Sequence, residues 1–389
     1  MATAAMFFTN GAIFANLLPR YPTVKSGLEL SNTQFGLVVI AFPLGAVIAG
    51  PLAAATVRRL GAATAAAVTT VLLAVAVALV GWVPSLWLLV VALFAGGAMD
   101  AIVDVAQNSH GLSVQRGYRR SIINSFHAVW SAGAVTGGLT GTLAAARDVP
   151  LGIHLTASSL LWLVVAVAAR RHGLSAAAAA ELDRLADPPD PHQASGPAER
   201  FRAALRRPAV VLVALVVIAM SGTMVEDAGN TWSAVYLSEE LGAGPAVAGF
   251  GFVALVGAQL IGRTLGDPMT DRLGQRAVAR LGAVLIILGM AVVVVGPGVG
   301  AVTGGFALAG FGSATLVPAA MNAADDIPGI RKGSGLTIVS WLMRLAFLLS
   351  PPVVGALGDA FGLRVGLAIV PVLALATLAL AGVLRGRAP

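Results

Sequence analysis

Long runs without an ionisable side chain recur along this chain, and they leave few folds open. Ala62–Val83 is apolar on every side, and so is Pro208–Met220. Neither run has the two-residue alternation of a membrane barrel strand. A bilayer admits only chains that satisfy their own backbone, as helices or closed barrels, so helices follow. Charge supports this. Soluble domains carry about 25% charged residues, whereas here the share is 11%, with 57% hydrophobic residues and a mean hydropathy of +0.87. At about 20 residues per spanning helix, 389 residues hold about twelve spans with short connections. The expectation is an all-α, multi-pass membrane protein in contact with lipid.

The spans read as 2–22, 32–55, 61–82, 86–112, 121–145, 151–169, 209–237, 245–268, 278–296, 299–322, 334–355 and 364–384. The first lacks a basic leader, so it reads as a span and not as a cleavable signal. One long connection, 170–207, carries an alanine-rich stretch (Ser175–Ala186), a Pro-rich stretch (Asp187–Pro197) and the basic Arg200–Arg207. It divides the chain into an N-terminal six-helix bundle (1–169), a cytoplasmic linker with a surface helix (170–207) and a C-terminal bundle (208–389). With both termini cytoplasmic, the inner loops and C-terminal tail hold nineteen Lys and Arg residues and the outer loops three, Lys25, Arg147 and Arg364. The positive-inside rule therefore puts both ends in the cytoplasm, at an inner membrane. The formal charge of +7 has no continuous basic face, which argues against nucleic acid.

The halves also repeat. Gly36 and Gly249, Gly45 and Gly257, Gly50 and Gly262, Arg59-Leu60-Gly61 and Arg272-Leu273-Gly274, Asn108 and Asn322, and Gly141 and Gly355 are all 212–214 residues apart. Two parallel six-span halves are the plan of the major facilitator superfamily, with its site at the midplane.

Three motifs narrow the likeness. Phe7-Phe8-Thr9-Asn10-Gly11 with Arg20-Tyr21-Pro22-Thr23-Val24-Lys25 lies in the first span. Asp104-Val105-Ala106-Gln107-Asn108 precedes Ser125-Phe126-His127-Ala128 and Ser131-Ala132-Gly133 in spans 4 and 5. Glu226 precedes Trp232-Ser233-Ala234-Val235-Tyr236-Leu237 in span 7. Together with Arg263, Gly266, Asp267, Asp271, Arg272 and Gly274, they resemble the YbjJ-type, fucose-permease-like branch of that superfamily over the whole chain. Two departures stand out. Arg58 occupies the place of an acid in the superfamily's loop between spans 2 and 3, and Asn10 stands where fucose permease has a span-1 acid. The likeness implies two six-helix bundles working by alternating access, and a latch of Arg263, Asp267, Asp271 and Arg272 at the cytoplasmic end of span 8.

Ionisable groups at membrane depth cost at least about 2.5–3.5 kcal/mol each, so they are the candidate functional residues. Asp100 and Asp104 share one face of span 4 at i and i+4, and Asp104 lies about 18 Å in from Arg116. Buried carboxylates suit proton loading and release, and His127 in span 5 is within reach of Asp104 or Asn108 as a relay. Glu226 is the third candidate for proton coupling, favoured over Asp227 for facing the cavity. Arg344, deep in span 11, is open to an ion pair with Glu226 or Asp227 or to an anionic substrate. Asn10, Asn108, Asn230 and Asn322 supply hydrogen bonds to a substrate, and Trp130, Trp232 and Trp341 supply ring faces. His110 and His154 read as lying near water or the interface. Gly133, Gly137, Gly138 and Gly141 read as a helix-packing strip.

The expected function is secondary active transport of a polar or sugar-like metabolite, coupled to protons, by a monomer. Export of a drug-like compound is the alternative, and a nontransporting sensor a minor one. No H-E-x-x-H, G-x-S-x-G, P-loop or G-x-G-x-x-G motif is present, and no cysteine or metal-spaced histidine, so neither an enzyme nor a bound cofactor or metal is expected.

Overall fold

The computed structural model describes residues 1–118, 122–172, 206–325, 327 and 334–384. Among these, every regular element is a helix. The expected linker helix Ser175–Ala186, the Pro-rich stretch and most of Arg200–Arg207 lie outside the described residues.

Span 1 is broken where its prolines fall. α1 (Ala2–Ala15) is followed by a single 3-10 turn at Leu18–Arg20 and then by α2 (Tyr21–Gly27). Pro19 and Pro22 each sit in a first helical turn, where a missing N–H costs nothing. Span 2 comprises α3 (Asn32–Val39) and α4 (Ala41–Leu60). Its start is fixed by a capping box in which the Ser31 hydroxyl accepts from the Gln34 N–H and the Gln34 side chain accepts from the Ser31 N–H. α5 (Ala62–Val80), α6 (Leu86–Tyr118), α7 (Ile123–Ala146) and α8 (Leu151–His172) complete the first six spans.

In the second half, α9 (Arg206–Asp227) passes through a π-helical turn at Ala228–Trp232 into α10 (Ser233–Glu239). Then come α11 (Pro245–Ala248), α12 (Phe250–Leu273) and α13 (Gln275–Val295). α14 (Val299–Ser313), α15 (Leu316–Asp325), α16 (Ser334–Phe361), α17 (Leu363–Leu367) and α18 (Ile369–Leu380) follow. Ten stretches of the described residues are long and apolar enough to cross a membrane alone. The other two expected spans are the interrupted α1–α2 and α7, whose apolar content is diluted by His127, several Ser and Thr residues and four glycines.

The packing suits lipid outside and small residues inside. On α4 the large side chains Leu44, Ile48 and Leu52 point outward while Gly45, Ala49 and Ala53 are buried. Lipid exerts no hydrophobic drive between helices, so close contact depends on small residues at the seam.

The internal repeat reappears as local geometry. Gly61 (φ 78°) closes α4 and Gly274 (φ 82°) closes α12, both with the positive φ that a side chain disfavours. A Cβ on Gly97 would stand 1.8 Å from the Phe42 carbonyl oxygen, and one on Gly310 would stand 2.2 Å from that of Leu255. Phe42 and Leu255, like Gly97 and Gly310, are 213 positions apart. The contact of spans 2 and 4 is thus built again by spans 8 and 10.

The chain forms two compact units, Met1–Asp187 with Thr231–Val253, and Pro188–Asn230 with Ala254–Pro389. Within the first unit, Lys25 Nζ pairs with Glu239 at 2.7 Å and Trp232 sets its ring edge-on to Phe35.

Candidate functional site

Within the first unit, α1 and α7 touch backbone to backbone. A Cβ on Gly11 would lie 2.1 Å from the Trp130 carbonyl oxygen, and one on Gly133 would lie 2.1 Å from that of Phe8. Gly137 and Gly141 meet Ala12 and Asn16 in the same way, so the glycine strip of span 5 is the seam with span 1. This approach brings polar side chains of three helices together.

Asn10 of α1 is buried at the centre of the cluster. Its Nδ2 donates to Asp100 Oδ1 of α6 at 2.8 Å. Its Oδ1 accepts from Trp130 Nε1 of α7 at 2.8 Å and from Gln107 Nε2 of α6 at 3.3 Å. The neighbours dictate the amide's orientation, because a carboxylate accepts and an indole N–H only donates.

One turn along α6, Asp104 takes different partners. Expected as a buried coupling acid, it is instead exposed, and Asn108 Nδ2 donates to its Oδ1 at 2.9 Å. His127 Nε2 lies 3.1 Å from Asn108 Oδ1. Since the Asn108 amide nitrogen is turned to the carboxylate, its oxygen faces the ring, and Nε2 is the protonated nitrogen. Phe7 holds that ring edge-on at 5.5 Å and stacks on Phe126. Asp104 and His127 therefore meet through Asn108. The two acids of one helix face serve two clusters.

Another polar group lies further along the α1–α7 seam. Thr140 Oγ1 donates to Asn16 Oδ1 at 2.7 Å, and His154 Nε2 lies 3.1 Å from the same oxygen. His154 is buried, as is His110 on α6, which corrects the expectation that His110 lies near water. Arg20 is buried too, with Nη2 donating to the Val149 carbonyl at 2.8 Å.

In the second unit, Arg263 Nη2 of α12 lies 2.6 Å from Glu226 Oε1 of α9. Gln259, one turn before Arg263, donates to the same oxygen at 2.7 Å. The cation beside Glu226 is thus Arg263, and not Arg344 as its depth had suggested. Arg344 is exposed on α16, and so is Trp341. Arg263 also leaves the expected latch group: Asp267, Asp271 and Arg272 are exposed, with no ion pair among the described residues. Gln259 and Arg263, four residues apart, share one face of α12, and both reach Glu226 from it. Asp227 is buried, Asn230 is half-buried in the π turn and Asn322 is exposed on α15. Trp232, expected as a substrate-facing ring, is fully buried against Phe35 and acts in packing.

Sequence reading passed over Gln107 and Gln259. Each had a signal: an amide costs energy in hydrocarbon as a charge does, and Gln259 lies at i−4 from Arg263 and Gln107 at i+7 from Asp100.

The Glu226–Arg263 pair gives a direct test. Arg263→Ala removes the cation from a carboxylate that is only 24% exposed. The paired change with Glu226→Gln is expected to recover most of the lost stability, with a coupling energy of about 1–2 kcal/mol in a thermal-unfolding double-mutant cycle. Additive losses would mean that the contact carries no energy.

Comparison with known proteins agrees with this architecture. The family model described as Major Facilitator Superfamily matches residues 3–237 and 227–389. The uncharacterized transporter y4wD of Sinorhizobium fredii is 29% identical over 98% of this chain and 97% of its own length. The membrane protein MosC of Rhizobium meliloti is 26% identical over 93% of this chain and 84% of its own. Among solved structures, the nucleoside transporter NupG (D323A mutant) superposes with a TM-score of 0.75 at 12% identity, covering 98% of this chain and 97% of that one. A D-xylose–proton symporter gives 0.68 at 16% identity, covering 97% and 95%. At these identities the structural likeness is one of fold.

Proposed function

This chain belongs to the major facilitator superfamily, and we propose that within it the protein is a proton-coupled secondary transporter of a polar, uncharged, ring-bearing metabolite. It is a multi-pass membrane transporter and not an enzyme. The reading carries Asp100 as the coupling acid, with Asp104 and His127 in a separate cluster about Asn108 one turn along α6. Working by alternating access, the protein sits as a monomer in the inner membrane with both termini in the cytoplasm. The fucose-permease-like motifs of spans 1, 4, 5 and 7 fit this branch of the family.

One observation supports the reading above the others. Asp100 is bonded by a neutral amide, Asn10 at 2.8 Å, whereas Glu226 is bonded by a guanidinium at 2.6 Å. Charge at membrane depth needs compensation. Glu226 has a cation built beside it, and the compensation open to Asp100 is a proton that comes and goes. Around Asp100 the chemistry is amide and indole, from Asn10, Gln107 and Trp130, which suits hydroxyl groups and ring faces better than a formal charge. The nucleoside and D-xylose–proton transporters among the fold neighbours are consistent with such a substrate.

A thermal-shift screen on the purified protein tests the substrate class. Neutral sugars and nucleosides form one set and amphipathic cations the other. A ligand at a hundred times its Kd stabilises the form it binds by about 2.7 kcal/mol. A neutral hydroxylated ring compound is expected to raise the melting temperature. Stabilisation by amphipathic cations alone would overturn the reading in favour of export.

A further inference from the structure

We propose that Asn10 is a positioning residue that ties the orientation of the Trp130 indole to the charge on Asp100. The inference rests on the proposed role of Asp100 as the coupling acid and assigns the residue that would carry its state to the ring.

Asn10 bridges three helices with one side chain. It donates to Asp100 on α6 and accepts from Trp130 on α7 and Gln107 on α6. A side chain of this size that donates on one side and accepts on the other is an amide. The donor bond to an ionised carboxylate is roughly twice as strong as one between neutral groups. While Asp100 is ionised, that bond holds the amide nitrogen toward the acid and leaves the oxygen for the indole.

A second arrangement is already provided for. Gln107 Oε1 is buried and has no hydrogen-bond partner, and such a group in a native fold asks for an explanation. Protonated Asp100 gains an O–H donor. If the Asn10 amide turns over, its oxygen accepts from that O–H and its nitrogen donates to the turned Gln107 Oε1. Gln107 Oε1 then gains the donor it lacks, its Nε2 takes the place the oxygen held, and the indole N–H, now facing an amide nitrogen, loses its acceptor. The oxygen left without a donor here is the acceptor that the turned Asn10 amide needs. The proton is supplied by the gradient and returns to water, so nothing else is consumed.

Other groups that titrate near Asp100 are few. α1, α3 and α5, which pack on α6, carry no ionisable side chain, and α4 has only Arg58 and Arg59 in its last turn. α7 presents His127, which is bonded through Asn108 to Asp104. α6 itself adds Asp104, His110 and, near its end, Arg116 and Tyr118.

Nitrogen-15 labelling of the indoles, with the protein in lipid nanodiscs, reads the proposal directly. The chain has six tryptophans, and Trp130→Phe identifies the Trp130 signal. In the unaltered protein this signal is expected to shift on acidification toward that of an indole without an acceptor. In Asp100→Asn the shift should be lost, in His127→Gln it should persist, and in Asn10→Leu the signal should sit at the acid position at every pH. A Trp130 signal that ignores pH, or one whose shift survives Asp100→Asn or disappears in His127→Gln, overturns the proposal. Should Asn10→Leu fail to fold, the other three samples still decide. The coupling reading fails separately: a Trp130 signal that follows Asp100 in a protein showing no proton-driven accumulation would leave this link standing and remove the coupling.

Discussion

Asp100→Asn proteoliposomes, loaded with an identified substrate and placed in a pH gradient of one unit, are expected to equilibrate that substrate without concentrating it. With one proton moved per substrate, one pH unit corresponds to about tenfold accumulation. The unaltered protein should approach that ratio and the variant should stay at about one. Exchange of labelled for unlabelled substrate should continue in the variant, which separates lost coupling from lost folding. Asp104→Asn is expected to keep the gradient-driven ratio, because Asp104 is exposed and bonded to Asn108 and lies outside the Asn10 cluster. Full accumulation by the Asp100→Asn, Asp104→Asn double variant would remove proton coupling through span 4 altogether.

Gly97→Ala should be the most damaging single methyl group in the first unit. Its Cβ would stand 1.8 Å from the Phe42 carbonyl oxygen, and the equivalent Gly310→Ala would place one 2.2 Å from that of Leu255. Ordinary carbon–oxygen contacts are about 3.3–3.6 Å, so the helices must part by an ångström or more. Overpacking commonly costs about 1–3 kcal/mol, and here the obstacle is backbone with no rotamer to yield. A fall in melting midpoint of about 6 °C or more is expected for each, followed by tryptophan fluorescence on the detergent-solubilised protein. Gly257→Ala is the control, since its Cβ meets nothing within 4 Å. Equal midpoints for Gly97→Ala and Gly257→Ala would mean that the seam relaxes freely.

The expected spans became helices because hydrocarbon leaves the backbone no other partner, and this is a property of each segment by itself. Span 1 broke where Pro19 and Pro22 stand, which was also readable locally. Pairings were less so. Asp100 and Asp104 are one turn apart on one face, yet Asp100 reaches Asn10 on α1 while Asp104 stays with Asn108 on its own helix, where His127 of α7 meets that amide. Arg263 was grouped with the acids beside it in sequence but reaches Glu226 on another helix. Trp232 was expected to face a substrate, and packing against Phe35 buries it.

Sequence alone determined the solvent, the secondary structure and the duplication. The cost of burying charge and the length of an apolar run act within single segments, and the 213-residue offset of Gly97 and Gly310 is countable. Tertiary structure decided which costly groups neutralise one another. That depends on the rotation and height at which neighbouring helices lock. Contacts such as Gly11 on Trp130 set both, and no single helix contains them.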